Sequence, residues 1–519
     1  MSAKTITGSE TDNSRVKKTL LNAKVNFLFY FLTLIANFIA RKIFLEYLGD
    51  NFVGLTGTLL NILGYLNLAE LGVSSAIAFN LYKPIRDGNK KKISEIVSLL
   101  GYYYRNIGLI VSGAGIVLSG FLFFIFKDSA FTDFGVIYFA FFGYLISALI
   151  GYFLNYRQVL LVADQRNYVV SSLFQTSNIV KAAVQIIVAI YWGNLYAWIG
   201  IELVFSFLYS LVLNFRISKV YPWLKSEINE GKQVSSQYPN ILKSTRQVFI
   251  HKIKDFLLTQ SDQLFVFIFV SLKMVAYYGN YVLITSKVMQ LFNQLLDSVL
   301  ASVGNLVAEN DQKKMMKVFW ELMAVRYFLA GFLCYVIYHL INPFIVLWVG
   351  QEYLLSNIVV VLLIVNLFIM ISRGTVDNFN FAFGHFSDVW AAYVELGLNI
   401  GVTILGGYFW GIPGILLGKT VSMLPIIVFW KPYYLFRDGL NETYSKYWRG
   451  TIKYFICLAV TIAIIETGLH FINVSPADSI INWIIYALIV TVPFGGIYLA
   501  GIIWCCPGGR NLIQRLKRK

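Results

Sequence analysis

Long apolar runs follow one another along the whole chain, and each run is bounded by charged or turn residues. A run of about 20 predominantly apolar residues is long enough to cross a bilayer as a helix. Fourteen such runs, numbered here as spans 1 to 14, lie at about residues 25–45, 53–81, 99–126, 134–156, 168–191, 195–215, 248–270, 275–307, 318–348, 355–383, 388–409, 412–436, 450–471 and 479–504. The pattern predicts an all-α polytopic membrane protein with fourteen transmembrane helices.

Composition agrees with this interpretation. Of the 519 residues, 57% are apolar and only 13% are charged, whereas a soluble domain carries about 25% charged residues. The polar, basic residues 1–24 lack the short apolar core and cleavage site of a signal peptide, so span 1 is expected to be a permanent helix. The longest segment between spans, residues 216–247, is too short for a folded domain of the usual size. The membrane part is therefore expected to carry the function.

The distribution of basic residues predicts the orientation of the chain. The net charge of +16 could suggest nucleic-acid binding in a soluble protein, but cytoplasmic loops of membrane proteins also collect Lys and Arg. If the N-terminus is cytoplasmic, 31 basic residues fall in cytoplasmic segments, and only Lys127 and Lys273 fall in outer ones. We therefore expect both termini to face the cytoplasm, and we expect no nucleic-acid partner.

An internal repeat divides the chain. Trp192-Gly193 followed by Gly200 recurs as Trp410-Gly411 followed by Gly418, at an offset of 218 residues. Six spans separate the copies, so each helix keeps its direction and the repeat is parallel.

The predicted organisation is a cytoplasmic segment at 1–24, an N-lobe of spans 1–6 at 25–215, an inter-lobe loop at 216–247, a C-lobe of spans 7–12 at 248–436, spans 13 and 14 at 450–504, and a basic cytoplasmic tail at 505–519.

Polar residues recur at helical spacing on spans 1, 2, 7 and 8, which are repeat mates. The stripes are Asn26, Tyr30, Thr33, Asn37 and Arg41; Asn67, Glu70 and Ser74; Lys252, Asp255, Thr259 and Asp262; and Lys287, Gln290, Gln294 and Asp297. Charged groups in a span normally face a bundle interior or a water-filled cavity, so the stripes predict a central polar cavity between the two six-helix lobes. Interhelical hydrogen bonding is the alternative, although it does not require cations such as Arg41 and Lys287.

No motif for catalysis or metal binding stands out. Gly414 to Thr420 is similar to a phosphate-binding loop, but only three residues separate its glycines, and no strand precedes it. Close helix packing is the better interpretation of Gly414 and Gly418. The four histidines are scattered, without metal-ligand spacing. We therefore expect no metal, no bound cofactor and no catalytic residue, and we do not expect an enzyme.

Several short motifs are distributed over most of the chain. They are Leu68-Ala-Glu70-Leu-Gly72, Leu81-Tyr82-Lys83-Pro84, Phe249-Ile-His251-Lys252-Ile253, Ser261-Asp262-Gln263, Tyr278-Gly279-Asn280-Tyr281, Gly384-His385-Phe386, and Leu398-Asn399 through Gly411-Ile-Pro-Gly414. Together they resemble the polysaccharide flippase (Wzx-type) branch of the multidrug/oligosaccharidyl-lipid/polysaccharide exporter superfamily. The resemblance implies two six-helix lobes around a cavity and two extra C-terminal helices. It also implies movement of an undecaprenyl-diphosphate-linked oligosaccharide repeat unit from the inner to the outer leaflet of the bacterial cytoplasmic membrane, for surface polysaccharide synthesis.

An anionic lipid diphosphate needs cationic partners along its path. Under this hypothesis, Lys252 near the cytoplasmic side receives the diphosphate, Lys287 holds it in transit, and Arg41 near the outer side releases it. The expected partners are the lipid-linked oligosaccharide diphosphate and membrane lipids, with a polysaccharide polymerase as a further candidate.

Three carboxylates of the stripes, Asp262, Glu70 and Asp297, are candidates for binding a coupling proton or sodium ion. The alternative, which stays equally open, is that these carboxylates form ion pairs with Lys or Arg in the cavity. Two other functions also stay open. A drug or cation antiporter of the same superfamily would favour carboxylates and aromatic walls over a basic cavity. A polysaccharide polymerase or ligase would need an extended outer loop with basic residues, but the longest outer loop, at about 471–479, contains neither Lys nor Arg.

Overall fold

The structure, a computed structural model, describes residues 8–67, 73–235, 261–385 and 388–517. These residues form helices joined by short turns, and no strand occurs among them. The helices of the first half are α1 (Gly8–Leu48), α2 (Asp50–Leu66), α3 (Val73–Arg86), α4 (Lys90–Ser119), α5 (Leu122–Phe126), α6 (Phe134–Leu154), α7 (Gln158–Ala163), α8 (Asn167–Trp192), α9 (Leu195–Val220) and α10 (Ile228–Ser235).

The second half continues in the same way. Its helices are α11 (261–269), α12 (Leu272–Ala308), α13 (Gln312–Trp348), α14 (Asn357–Ser372), α15 (Gly374–Ala382), α16 (Val389–Trp410), α17 (Ile412–Met423), α18 (Lys431–Tyr434), α19 (Tyr444–Leu469), α20 (Ile480–Cys505) and α21 (Gly509–Lys517). Two π-helical segments, Leu424–Trp430 and Leu435–Gly439, flank α18 at the C-terminal end of span 12.

Within the described ranges, nine helices are long and apolar enough to cross a membrane. They correspond to spans 1, 4, 5, 6, 9, 10, 12, 13 and 14, and the other five spans are also helical over their described residues. The prediction of an all-α polytopic membrane protein is confirmed.

Several helices are longer than a bilayer requires. Helix α1 begins at Gly8, whereas span 1 was predicted to begin near residue 25. Helices α12 and α13 have 37 residues each, which corresponds to about 55 Å of helix for a hydrocarbon layer of about 30 Å. The apolar run marks only the part of a helix that suits lipid, because a helix satisfies its own backbone and can continue into water.

The chain forms two compact units. The N-terminal unit comprises Met1–Leu264 and Ser271–Ala276, and in it α1 packs on α8, α4 on α10, and α6 on α9. The C-terminal unit comprises Phe265–Val270 and Tyr277–Lys519, and in it α16 packs on α17 while α13 contacts α14, α19 and α20. Its core is aromatic, and the buried Tyr498 hydroxyl donates to the Tyr327 carbonyl at 3.0 Å.

Both copies of the Trp-Gly repeat form a turn between two helices. Helix α8 ends at Trp192 and is followed by Gly193 with φ 55°, and α16 ends at Trp410 and is followed by Gly411 with φ 61°. Positive φ values favour glycine because a Cβ would be strained there. The shared glycine is therefore explained by the turn.

Glycines let α16 and α17 approach closely. A Cβ on Gly414 would collide with the backbone of Gly406, and a Cβ on Gly418 would collide with Thr403. The interpretation of Gly414 and Gly418 as a helix-packing motif is confirmed, and these residues belong to a helix rather than to a phosphate-binding loop.

Candidate functional site

The polar stripe of span 1 lies on α1 and is partly buried. Tyr30 and Thr33 are buried, Arg41 is half-buried and Asn37 is exposed. The Arg41 guanidinium donates from Nη2 to the carbonyl oxygen of Ala276 at 2.7 Å, within the N-terminal unit. Arg41 therefore connects α1 to the beginning of α12, and this contact takes one of the five N–H donors of the guanidinium.

Asp262 is buried on α11, with 7% of the residue exposed. Its neighbour Gln263 accepts a hydrogen bond from the Asn61 amide of α2, at 2.8 Å. Tyr65, also on α2, lies within electrostatic reach of the Asp262 carboxyl group. The acid predicted from the span 7 stripe is therefore held in a polar environment beside α2.

Lys287 is half-buried on α12 in the C-terminal unit. Its Nζ lies 3.4 Å from Oε1 of Gln290, so these two members of the span 8 stripe share a face of the helix. Asp297 belongs to the same helix, but its side chain lies outside the described residues, as do Lys252 and Glu70 altogether.

A polar cavity in the N-terminal unit was missed by the sequence analysis. It has a volume of about 510 Å³ and lies between α6, α8 and α9. Lys181 and Glu202 form an ion pair in its wall, with Nζ and Oε1 2.7 Å apart and side chains 18% and 22% exposed. Pairing makes two charges tolerable within membrane-spanning helices.

The signal for this cavity was present in the sequence. Polar residues recur every three or four positions on two consecutive spans, as Ser171, Gln175, Asn178, Lys181 and Gln185 on α8 and as Glu202, Ser206, Ser210 and Asn214 on α9. The two stripes approach each other, and α6 joins them through the Asn155 amide, which donates to Ser210 Oγ at 2.9 Å. The periodicity test that identified the span 1 stripe would have identified both.

A second buried polar row lies on α16 in the C-terminal unit. Glu395, Asn399 and Thr403 are spaced four residues apart, and each is 1% exposed. The Thr403 hydroxyl donates to the Ile415 carbonyl of α17 at 3.4 Å. This row was also missed, although its spacing of four residues is the same signal that identified the span 1 stripe.

An apolar cavity of about 540 Å³ lies among α13, α14, α19 and the first π-helical segment of span 12. Most of its lining is aromatic or aliphatic, including Phe368 and Phe455, and Arg373 and Glu466 also line it. Such a cavity suits a hydrocarbon chain rather than a polar ligand.

No protein-family model matches the chain, and no curated protein matches its sequence. Two solved structures have a similar fold. The lipid II flippase MurJ in an inward closed conformation is 16% identical, covers 93% of this chain and all of its own length, and gives a TM-score of 0.67. An inward-facing multidrug resistance MATE family transporter of the MOP superfamily is 14% identical, covers 81% of this chain and 99% of its own, and gives a TM-score of 0.53. The chain therefore has the fold of transporters of the MOP (multidrug/oligosaccharidyl-lipid/polysaccharide exporter) superfamily.

Proposed function

We propose that the protein is a flippase of the Wzx type, which moves undecaprenyl-diphosphate-linked oligosaccharide repeat units from the inner to the outer leaflet of the bacterial cytoplasmic membrane. The observation that carries the proposal is the fold shared over nearly the whole chain with a protein that is itself a lipid flippase. The sequence motifs of spans 2, 7, 8 and 10 to 12 favour the polysaccharide branch of that superfamily.

Cationic side chains within the spans support the same proposal. We assign contact with the diphosphate to Lys252 first, to Lys287 in transit and to Arg41 last. Lys287 carries a half-buried ammonium group in a spanning helix, and charged groups at such positions commonly mark a substrate path. The apolar cavity beside α13 and α14 offers a place for part of an isoprenoid tail.

The transport is proposed to be either downhill or coupled to a proton or sodium gradient. The carboxylates that could bind the coupling ion are Asp262, Glu70 and Asp297, and Asp262 is the one whose side chain is described. It is buried within electrostatic reach of Tyr65 on α2, and an ionisable residue within a span commonly marks an ion pathway.

A drug or cation antiporter is the second candidate. It is supported by the similarity in fold to the multidrug resistance transporter. The two candidates differ in what should copurify with the protein. We expect mass spectrometry of extracted lipid to find an isoprenoid diphosphate that carries sugars, and its absence together with drug efflux would favour the antiporter.

The direct test uses proteoliposomes that contain a fluorescent undecaprenyl-diphosphate disaccharide. Lys287→Ala removes one charge-assisted contact, so we expect the rate of flipping to fall roughly 10- to 100-fold, with partial recovery in Lys287→Arg. Lys273→Ala, which alters an exposed lysine of the same helix (side chain 56% exposed), is the matched control and should retain the wild-type rate. Wild-type flipping by Lys287→Ala would refute the transit role, and failure of the wild type to flip this lipid would refute the proposed function.

A further inference from the structure

The lining of the polar cavity in the N-terminal unit includes none of the residues assigned above to the diphosphate or to ion coupling, and it indicates the chemistry of a ligand. Twelve of its eighteen lining residues have polar side chains, mostly hydroxyls and amides. Its volume of about 510 Å³ lies within the range of roughly 300 to 1,000 Å³ found for small-molecule sites. Such a lining excludes a lipid tail as the natural occupant.

The cavity lies deep within the spans. Lys181 is eleven residues from the end of α8 at Trp192, which is about 16 Å along the helix axis and therefore near the middle of a hydrocarbon layer of about 30 Å. Polar groups at this depth find no bulk water, so an unfilled hydrogen bond there costs more than it would at the surface.

Several of these groups have no partner in the described part of the protein. Ser147 Oγ is buried without a hydrogen-bond partner, and the amides of Gln175 and Asn178 form no hydrogen bond with another described residue. A hydroxyl and two amides offer both donors and acceptors toward the cavity. The missing partner is therefore a molecule that can donate and accept at several closely spaced atoms.

The charges of the cavity argue against an ionic ligand. Lys181 and Glu202 pair with each other at 2.7 Å, so the lining carries no net charge. Phe174 and Tyr209 also line the cavity and meet edge to face, with centroids 5.5 Å apart and rings inclined by 72°. Phe174 is 47% exposed, which places the rim of the cavity on the surface of this unit.

We propose that this cavity binds a neutral sugar residue, either a free sugar or the headgroup of a glycolipid. Sugar hydroxyls supply the clustered donors and acceptors that the two amides and Ser147 lack. The apolar C–H face of a sugar ring packs against an aromatic ring, and Phe174 and Tyr209 are available at the cavity. A neutral sugar also leaves the Lys181–Glu202 pair intact.

Binding is tested with the full-length protein in phosphatidylcholine nanodiscs, prepared without maltoside detergents because these carry sugars that would compete. Saturation-transfer NMR with galactose and with N-acetylglucosamine tests the free sugar. Native mass spectrometry of nanodiscs doped with galactosyl diacylglycerol, with phosphatidylglycerol as competitor, tests the glycolipid headgroup. We expect binding in at least one arm, and the arm that gives it identifies the source of the sugar.

The double substitution Gln175→Ala with Asn178→Ala removes two hydrogen-bonding side chains, so binding should weaken about tenfold. Thr176→Ala changes an exposed residue of the same helix outside the cavity lining and should bind like the wild type. Thermal unfolding of each variant checks that it is folded.

Binding by the wild type in neither arm, as expected if water alone fills the cavity, would overturn the proposal. Undiminished binding by a folded double variant would overturn it as well. Neither assay contains a diphosphate or measures transport, so such a result would leave the proposed flippase function standing.

Discussion

At the scale of single residues, the charged groups of the spans differ in what they contact. Lys181 is paired with a carboxylate, Arg41 donates to a backbone carbonyl, and Lys287 lies beside a neutral amide. Removing one member of a buried pair leaves an uncompensated charge, so a substitution of Lys181 is expected to disturb folding as well as any activity. For this reason the test of the proposed transport role uses Lys287 rather than Lys181.

A neutral substitute at Asp262 tests ion coupling. Asp262→Asn keeps the shape of the buried side chain but can no longer take up and release a proton or bind a cation through a charge. We expect flipping in proteoliposomes to slow by roughly tenfold and to lose its dependence on an imposed pH or sodium gradient. Asp128→Asn, at a carboxylate 89% exposed in the loop between α5 and α6, is the control. Equal wild-type rates with and without either gradient would exclude coupling.

His385 predicts a pH dependence of stability. Burial lowers the pKa of this imidazole, and nearby Lys431 lowers it further, whereas Asp438 and Asp388 act in the opposite direction. The folded protein therefore favours the neutral ring, which lies 2.9 Å from Asn380 Oδ1 and packs against Tyr434. In the unfolded chain the imidazole takes up a proton at a pH near 6.5. The contribution of His385 to the free energy of unfolding is therefore fully present above that pH, and it is lost as the pH falls toward the lower pKa of the folded protein.

Thermal unfolding at pH 7.5 and at pH 5.5 measures this effect. The unfolding temperature of the wild type should be lower at pH 5.5 than at pH 7.5. The decrease should be smaller in His385→Gln, which carries no titratable group at this position. An identical fall in both proteins would show that other groups account for the acid sensitivity.

At the scale of helices, the packing of α16 on α17 depends on backbone contact. Gly414→Ala would place a Cβ against the backbone of Gly406, and overpacking of this kind costs about 1–3 kcal/mol. Gly401→Ala, at an exposed glycine of α16 with open space around it, should instead be neutral or stabilise the helix by up to about 1 kcal/mol. Unfolding in mixed detergent compares the two, and equal stability would contradict the close approach.

The sequence predicted the positions of the helices better than it predicted how they contact one another. A bilayer demands long apolar helices, so fourteen runs could be located by hydropathy alone, and the packing glycines Gly414 and Gly418 could be interpreted correctly. Pairings such as Lys181 with Glu202 were not predicted, because they depend on how two helices are rotated toward each other. The π-helical segments of span 12 were also missed, since they have the same apolar pattern as an α-helix.

At the scale of the whole molecule, the proposed direction of transport depends on how the protein is oriented in the membrane. With the four native cysteines replaced, Lys90→Cys should be protected from a membrane-impermeant thiol reagent in intact cells, and Asp478→Cys should be labelled. Both positions are exposed, so protection reports the side of the membrane rather than burial. Labelling of Lys90→Cys with protection of Asp478→Cys would reverse the orientation.

The two π-helical segments of span 12 give that helix an unusual tolerance to changes in chain length. Each π turn bonds residue i to i+5 instead of i+4, so Leu424–Trp430 and Leu435–Gly439 each behave as a stored one-residue insertion. Deleting one residue inside Leu424–Trp430 would let the helix close as an ordinary α-helix without rotating its C-terminal part. The same deletion inside α17 would rotate the remainder by about 100° and carry Lys431 away from Asp388, from which it lies 3.9 Å. Homologous chains can therefore gain or lose a residue at these two places while the rest of the span keeps its register.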